Sequence, residues 1–363
     1  MSRELYFAYG SNLNQVDFNA WCRKKGYPKG LLQVKAQAFL PDFDLAFTHR
    51  SRSRNGGVLD LKERPGQVVP GVVFEIDDKG WAALDVKEGA PNTYQRMDVT
   101  VIDDRGNAMI ATTYRVNPEK AQQYVPPSDE YLAIVREGLE HWDLCDDLLV
   151  AAASNRVAPC PDGFFFYGTL LRGEHRFPLV RKFGIECVLL AQTFGRLVDL
   201  GGFPGLVDVG VAESQVEGEF IRLTDPEKAI SALDAIEGFR GFGQSGSLYR
   251  RTRIGVDVGE GRIRYAWTYC LDSGVDQAPP IASGDWREHC GHRQDFLTRL
   301  AAIHSGGDEA IVAARIASGY PFCFDDDREQ IVRSLLPLNE SLANGVFSER
   351  KMAQASGIWA AIP

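Results

Sequence analysis

Two short motifs occur together twice in this chain of 363 residues, in the same order each time. An apolar, aromatic-rich run ends in Tyr-Gly at Tyr9 and again at Tyr167. Leu-Asp-x-x-Glu-Gly follows 70 to 79 residues later and contains Glu88 in the first copy and Glu237 in the second. Either motif alone is weak, because strand-ending turns and glycine-capped helices are common. Their ordered recurrence indicates a duplicated domain that carries one kind of site twice.

The length of the chain supports a division into two domains, because 363 residues are too many for one ordinary core. We predict a first domain over residues 1–150 and a linker over 151–163, where Pro, Ser, Asn and Gly replace the apolar periodicity. A second domain is predicted over 164–292. Apolar residues at helical spacing predict a helical extension over 293–363.

Each half contains many short strands and few helices. Strands are predicted at residues 5–9, 39–47 and 68–76, with a hairpin around 103–106 and helices that begin near Asp77 and Ser128. The second half repeats these landmarks and adds a glycine-rich turn, LGGFPGLV. Because no regular βαβα alternation is present, the predicted fold class is α+β, with a small closed or nearly closed sheet in each domain.

The charge and composition of the chain limit the classes of partner that we expect. The formal net charge is −9 and no Lys/Arg-rich run occurs, so neither nucleic acid nor an anionic membrane is an expected partner. The first ten residues lack the apolar stretch of a signal peptide or a membrane span, and we expect a cytoplasmic protein. Seven cysteines without a C-x-x-C pair predict reduced thiols.

The Tyr-Gly motif can create an anion site. A strand that ends in glycine and passes straight into Ser11 or Thr169 presents consecutive backbone N–H groups at its carboxyl end. Such groups bind an anion or a developing oxyanion. The alternative interpretation of one copy is a simple strand-ending turn, and the duplication favours the functional interpretation.

The glutamate motif predicts a carboxylate on the apolar face of a helix. Trp81, Leu84 and Glu88 lie at i, i+3 and i+7, and Ile230 repeats this relation to Glu237. A glycine follows each glutamate, where a C-terminal cap is expected. Apolar surroundings disfavour the charged carboxylate, so the pKa is expected to rise toward the range of a general base. The alternative is a surface glutamate at a frayed helix end.

Other candidates are weaker. Tyr94 and Tyr249 follow the glutamates and either orient the carboxylate or substrate, or pack on the sheet. His289, Cys290 and His292 in EHCGH resemble part of a metal site, but without a second ligand pair we interpret them as a surface loop. A dinucleotide fingerprint and a phosphate loop are both absent from the sequence, so no cofactor or metal is expected.

These motifs resemble those of the γ-glutamylcyclotransferase superfamily. Over residues 4–145 the chain is similar to the branch that includes the butirosin-pathway deprotecting enzyme, through YFAYGSNL, NGGV, PGVVFEI, LDVKEG and PPSDEYLAIVREGL. The second half resembles γ-glutamylamine cyclotransferases and the plant avirulence-induced proteins, through FFFYGTLLRGE, GGFPGLV, VEGEF, LDAIEG, LYRR and ASGDW. This second resemblance stops near Arg293.

The resemblance implies two small mixed barrels with flanking helices, in which Glu88 and Glu237 act as acid/base. It also implies that the Tyr-Gly loops hold the γ-glutamyl group of a small substrate, and Tyr94 and Tyr249 complete the set of residues predicted to bind that substrate. These residues are Tyr9, Gly10, Ser11, Asn12, Leu13 and Tyr94 in the first copy and Tyr167, Gly168, Thr169, Leu170 and Tyr249 in the second.

The reaction implied by the resemblance is attack of the substrate α-amine on its own γ-carbonyl, which releases 5-oxoproline and a free amine without metal or cofactor. Three hypotheses stay open: activity in both domains, activity in one with the other as a scaffold, and a non-catalytic metabolite-binding protein. The first domain is favoured as active, because its resemblance covers more of its length. The leaving amine and the oligomeric state stay open.

Overall fold

The computed structural model of the protein describes residues 4–158, 163–207, 214–259, 261–271 and 278–293. The first compact unit comprises the chain up to residue 161 together with residues 241–245, and the second unit begins at residue 162. The helical extension predicted for 293–363 lies outside the described residues, apart from Arg293. Within the described part, every helix is too short or too polar to cross a lipid bilayer.

The first unit is a closed barrel of five strands with helices around it. Its strands are β1 (Glu4–Ala8), β2 (Gln33–Ser51), β3 (Gly56–Ile76), β4 (Tyr94–Ile102) and β5 (Ala108–Val116). Its α-helices are α1 (Gln15–Lys25), α2 (Asp78–Glu88), α3 (Asp129–His141) and α4 (Asp147–Ala153), and short 3₁₀ turns lie at Ser11–Leu13 and Pro118–Lys120.

The first barrel has the strand order β1-β3-β2-β4-β5, and β1 and β5 pair in parallel to close it. All other neighbouring strands are antiparallel. The core is rich in aromatic and branched side chains from β1, β3 and α2, among which Phe7, Phe74 and Leu84 are fully buried. This closed sheet confirms the predicted α+β class.

The second unit repeats this topology. Its described elements are β6 (Gly163–Phe166), α5 (Phe177–Arg181), β7 (Ile185–Phe194), β8 (Arg196–Asp199), β9 (Pro204–Val207), β10 (Gln215–Leu223), α6 (Pro226–Glu237), β11 (Tyr249–Asp257), β12 (Ile263–Leu271) and α7 (Trp286–His289). The barrel order is β10-β6-β12-β11-β7, and β12 and β6 pair in parallel. Strand for strand, β6 therefore occupies the place of β1, and β10 that of β3.

Three segments differ from the sequence prediction. The glycine-rich segment predicted as a turn is a hairpin, because Gly201 and Gly202 adopt positive φ and bring β8 and β9 together. Helix α4 extends to Ala153, inside the predicted linker, because its apolar side packs on the first barrel. Part of the predicted EHCGH loop belongs to α7.

The five cysteines in the described part of the chain are free thiols, as predicted. These are Cys22, Cys145, Cys187, Cys270 and Cys290.

A fragment of residues 1–161 is expected to fold alone. Ala158 is buried in the first core, and its carbonyl accepts hydrogen bonds from Arg64 and Gln67. A fragment cut at residue 150 lacks Ala152 and Ala158, and we expect its Tm to be lower by about 5–10 °C. Circular dichroism melts of the two fragments test this, and an unfolded 1–161 fragment would show that the first unit depends on the rest of the chain.

Candidate active sites

The loop after β1 has the geometry of an anion site. Leu13 N donates to the Gly10 carbonyl at 2.9 Å and closes a tight turn. The N–H groups of Ser11 and Asn12 precede this first hydrogen bond, and neither has a hydrogen-bond partner among the described residues. The side chain of Leu13 lies in the core, so this residue shapes the loop through its backbone.

The loop after β6 has the same turn. Leu171 N donates to the Gly168 carbonyl at 2.9 Å, which leaves the N–H groups of Thr169 and Leu170 without a partner in the described part of the chain. Gly168 is required here, because a Cβ would lie 2.5 Å from the Pro204 ring. Two adjacent, unpaired N–H groups at the end of the first barrel strand are therefore a shared feature of both units.

Each loop faces the end of the helix that carries the glutamate. Helix α2 begins after Asp77, whose carboxylate accepts from Gly80 N at 2.9 Å, and α6 begins after Asp225. Both helices end where the sequence predicts, with the glycines after Glu88 and Glu237 in the left-handed region at φ 64° and 66°.

In the first site a polar network holds the glutamate. Asn12 Nδ2 donates to Glu88 Oε1 at 2.9 Å and to the Tyr6 hydroxyl at 2.8 Å. Lys87 Nζ donates to Asn12 Oδ1 at 2.7 Å and to Ser11 Oγ at 3.3 Å. Because Lys87 occupies the amide oxygen, the Asn12 side chain must present its nitrogen to Glu88.

Further groups surround this loop. Arg54 forms an ion pair with Asp17 at 2.6 Å, and the Tyr131 hydroxyl accepts from Leu59 N at 3.3 Å. Burial raises the pKa of Tyr131 to about 12. Burial lowers the pKa of Lys87, and the charges of Glu88 and Asp17 oppose this shift. The first site is therefore polar and densely hydrogen-bonded.

The second site has an open cavity of about 130 Å³. Tyr167, Gly168, Thr169, Leu170, Glu237 and Tyr249 all line it, so the structure brings together the residues predicted for the second copy.

The surroundings of Glu237 differ from those of Glu88. Leu170 stands in the turn where the first loop has Asn12, and Ile236 stands in the motif where the first copy has Lys87. Glu237 therefore has no side-chain donor in the described part of its unit. Burial raises the pKa of Glu237 to about 7, although the charge of Arg176 opposes the rise.

This comparison predicts the effect of Leu170→Asn. An amide donor beside Glu237 stabilises the charged carboxylate, so we expect its pKa to fall from about 7 by about one unit. Below that pKa the carboxyl is protonated and above it is charged, so the titration midpoint moves to lower pH. Carboxyl-carbon NMR measures the midpoint directly. Leu170→Met keeps the apolar volume and should leave it unchanged, whereas an unshifted midpoint in Leu170→Asn would contradict the comparison.

The four predicted tyrosines have structural hydrogen bonds. Tyr94 donates to the Leu59 carbonyl at 2.6 Å, and Tyr249 donates to the Pro204 carbonyl at 2.8 Å. Tyr9 and Tyr167 donate to the carbonyls of the last barrel strand, at 2.7 Å and 2.6 Å. The hydroxyl proton of each tyrosine is therefore used in a hydrogen bond that stabilises the loop or the barrel. A substrate would contact the phenol oxygens or the rings.

A polar triad that the sequence patterns did not predict anchors each glutamate helix. Asp85 accepts from the Tyr114 hydroxyl at 2.7 Å and forms a two-point ion pair with Arg96 at 2.9 and 2.7 Å. Asp234 repeats this role: it accepts from Tyr269 at 2.7 Å and pairs with Arg251 at 3.0 Å. The available signal was the aspartate of Leu-Asp-x-x-Glu-Gly and the arginine of Tyr-x-Arg in both copies.

The histidines of EHCGH do not form a metal site with other described residues. His289 contacts Asp199 at 3.1 Å, and His292 contacts Glu174 at 3.2 Å. These contacts tie α7 and the residues after it to β8 and to the segment before α5.

Fold and site together define a class of protein: a tandem α+β chain in which each closed barrel pairs a Tyr-Gly loop with a helix-terminal glutamate. The family model described as "Gamma-glutamyl cyclotransferase, AIG2-like" matches residues 6–133 and 164–288, one match in each unit. The chain therefore belongs to this family and carries its domain in tandem.

Similar proteins include γ-glutamylcyclotransferases of mammals. The Bos taurus protein is 30% identical over 139 residues, which cover 37% of this chain and 69% of the relative. The Homo sapiens protein is 29% identical over 136 residues, with the same shares. A solved structure titled "Gamma-glutamyl cyclotransferase" is 26% identical, covers 39% of this chain and 80% of its own, and has a TM-score of 0.34.

Proposed function

We propose that the protein is a γ-glutamyl cyclotransferase that converts a γ-glutamyl amide into 5-oxoproline and a free amine. One observation carries the proposal: in both units a glutamate at a helix end faces a loop with two adjacent, unpaired N–H groups. This pairing supplies a base and an oxyanion site, which are the two groups that such a reaction needs. The mammalian relatives, named γ-glutamylcyclotransferases, support it.

The reaction needs no external nucleophile. The substrate α-ammonium gives one proton to the glutamate, and the free amine attacks the γ-carbonyl carbon to form the new C–N bond of the five-membered ring. The tetrahedral oxyanion is stabilised by the loop N–H groups. It collapses when the bond to the leaving nitrogen breaks as the glutamic acid gives its proton to that nitrogen. The new ring nitrogen still carries a second proton, which it gives to the glutamate and which then passes to the released amine, so that the glutamate is again ionised. Because the nucleophile belongs to the substrate, holding it near the carbonyl supplies a high effective molarity.

The two sites fit this scheme in different ways. Glu237, with a pKa of about 7, is matched to taking and returning a proton near neutral pH. Glu88 accepts a hydrogen bond from Asn12, which fixes the orientation of its carboxylate toward the loop. We therefore propose that the two units act on different γ-glutamyl amides, and that the first unit is an active one.

The second candidate function is that one unit is catalytic and the other is a scaffold. The difference between the two sites, with Asn12 in the first loop and Leu170 at the same place in the second, supports this alternative. A panel of γ-glutamyl amides, with α-amino acids, simple amines and lysine side-chain amides as leaving groups, separates the candidates. The expected result is 5-oxoproline from at least one class. Binding of γ-glutamyl amides without any 5-oxoproline would instead support the non-catalytic hypothesis.

A further inference from the structure

The cavity of the second site is lined by a positively charged side chain that the proposed proton transfers do not use. Arg176 lines this cavity together with Glu237 and Tyr249, and its main-chain N–H donates to the Thr169 carbonyl at 3.1 Å. This bond ties Arg176 to the Tyr-Gly loop. Its guanidinium lies near enough to Glu237 to oppose the rise in the pKa of that carboxyl, yet it forms no ion pair or side-chain hydrogen bond with a residue of the described ranges.

Apolar side chains of Phe203, Pro204, Ile236 and Leu248 form part of the cavity wall. Among the described residues that line the cavity, Glu237 supplies the acidic side chain and Arg176 the basic one. Arg176 is partly exposed, so water solvates its guanidinium when the cavity is empty. A ligand that fills the cavity displaces this water, and the guanidinium then needs an anionic partner from the ligand. A carboxylate matches it, because the planar guanidinium fork can donate two parallel hydrogen bonds.

We propose that Arg176 binds the α-carboxylate of the γ-glutamyl group in the second site, an inference that rests on the proposed function. The loop N–H groups of Thr169 and Leu170 take the γ-carbonyl oxygen, and Glu237 takes the α-ammonium proton. The α-carbon carries both the ammonium and the carboxylate. When the ammonium group lies beside Glu237, the carboxylate on the same carbon must also lie close by, within reach of the Arg176 guanidinium.

The first site places its cation differently. Lys87 already donates to Ser11 and Asn12, so its ammonium is engaged by the protein itself. Arg176 instead makes the second site selective for a substrate that bears the α-carboxylate. A 4-aminobutyryl amide has the same amine and carbonyl without that carboxylate, and its cyclisation gives 2-pyrrolidinone. Comparison of the two substrates therefore isolates the contribution of Arg176 to binding of the α-carboxylate.

The test compares Arg176→Gln with the wild type in a Glu88→Gln background, in which only the second site retains its glutamate. Assays at alkaline pH keep Glu237 ionised in both proteins. We expect kcat/KM for a γ-glutamyl amide to fall about 10- to 100-fold, the effect of losing a hydrogen bond between charged groups. The value for the 4-aminobutyryl amide of the same amine should not change. Equal losses for both substrates, or no loss for either, would overturn the assignment.

A second pair of substrates locates the carboxylate. γ-Glutamylalanine and γ-glutamylisopropylamine differ only in whether the leaving amine bears a carboxylate or a methyl group. Arg176→Gln should affect both alike, and a loss confined to γ-glutamylalanine would assign Arg176 to the leaving group instead. Arg176→Lys should recover part of the activity, because it keeps the charge without the fork. Arg181→Gln removes an exposed arginine that does not line the cavity, and it should have no effect.

Product binding separates failure of this inference from failure of the proposed function. Calorimetric titration of 5-oxoproline and of 2-pyrrolidinone into the full-length protein needs no turnover. Arg176→Gln should weaken 5-oxoproline binding at one site by about 10- to 100-fold and leave 2-pyrrolidinone unchanged. Unchanged 5-oxoproline binding contradicts the inference even if the enzyme is active. The expected weakening supports it even if the second site is catalytically silent.

Discussion

Glu88→Gln is expected to abolish turnover at the first site, and Glu237→Gln at the second, each with a loss of about 10²–10⁴-fold in kcat. The amide has the shape of the carboxylate but cannot accept the α-ammonium proton. Each variant should keep its fold, because the glycine that follows each glutamate, and not its carboxylate, caps the helix. Release of 5-oxoproline from the substrate panel measures the loss, and thermal melts check the fold.

The single variants also assign activity to the units. If the two sites act on different amides, each variant loses activity on a different set of substrates. If the second unit is silent, only Glu88→Gln lowers the activity. Glu140→Gln and Glu186→Gln change exposed glutamates outside both Leu-Asp-x-x-Glu-Gly motifs, and as matched controls they should keep full activity. Full activity of the Glu88→Gln, Glu237→Gln double variant on every substrate of the wild type would exclude the proposed mechanism.

Glu219→Gln is expected to destabilise the second unit by about 3–5 kcal/mol, because it breaks a buried ion cluster. Glu219 is fully buried on β10 and pairs with Arg172 and Arg287, both at 2.9 Å, and it also accepts from Arg172 N at 3.1 Å. Removal of its charge takes this anion away from two buried guanidinium groups. Since Arg172 belongs to the loop that begins at Tyr167, we also expect the second site to lose its order and activity.

The pH dependence of this effect has a definite sign. The charges of Arg172 and Arg287 lower the pKa of Glu219 below the ordinary 4.5, against the effect of burial. The stabilisation from the charged carboxylate is thus fully present above the unfolded pKa and is lost as pH falls through the folded pKa. The gap between wild type and Glu219→Gln should be widest near neutral pH and narrow in acid.

Scanning calorimetry at several pH values, with the transition of each unit followed separately, tests this prediction. Glu186→Gln removes an exposed ion pair with Arg222, whose side chains are about half exposed, and should change stability by no more than about 1 kcal/mol. A Glu219→Gln effect as small as that of the control would mean that the buried cluster contributes no net stability.

Much of the fold follows from local sequence patterns. The duplication, the strands before Tyr9 and Tyr167 and the helices before Glu88 and Glu237 were all predictable. Period, turn chemistry and caps depend on residues within a few positions of each other, as the left-handed glycines after both glutamates show. The same local argument placed both glutamates on the side of their helix that carries buried residues such as Leu84 and Leu233.

Contacts between distant segments decided the rest. Closure of the barrels, by β1 with β5 and by β6 with β12, joins residues about a hundred positions apart. The triads around Asp85 and Asp234 likewise join each glutamate helix to the last two strands of its barrel. The sequence determined that each unit has a glutamate at the end of a helix, Glu88 in the first and Glu237 in the second. Only the tertiary structure decided that one receives a hydrogen bond from Asn12 and the other faces Leu170 and Arg176, because burial, hydrogen bonds and nearby charges belong to the assembled site.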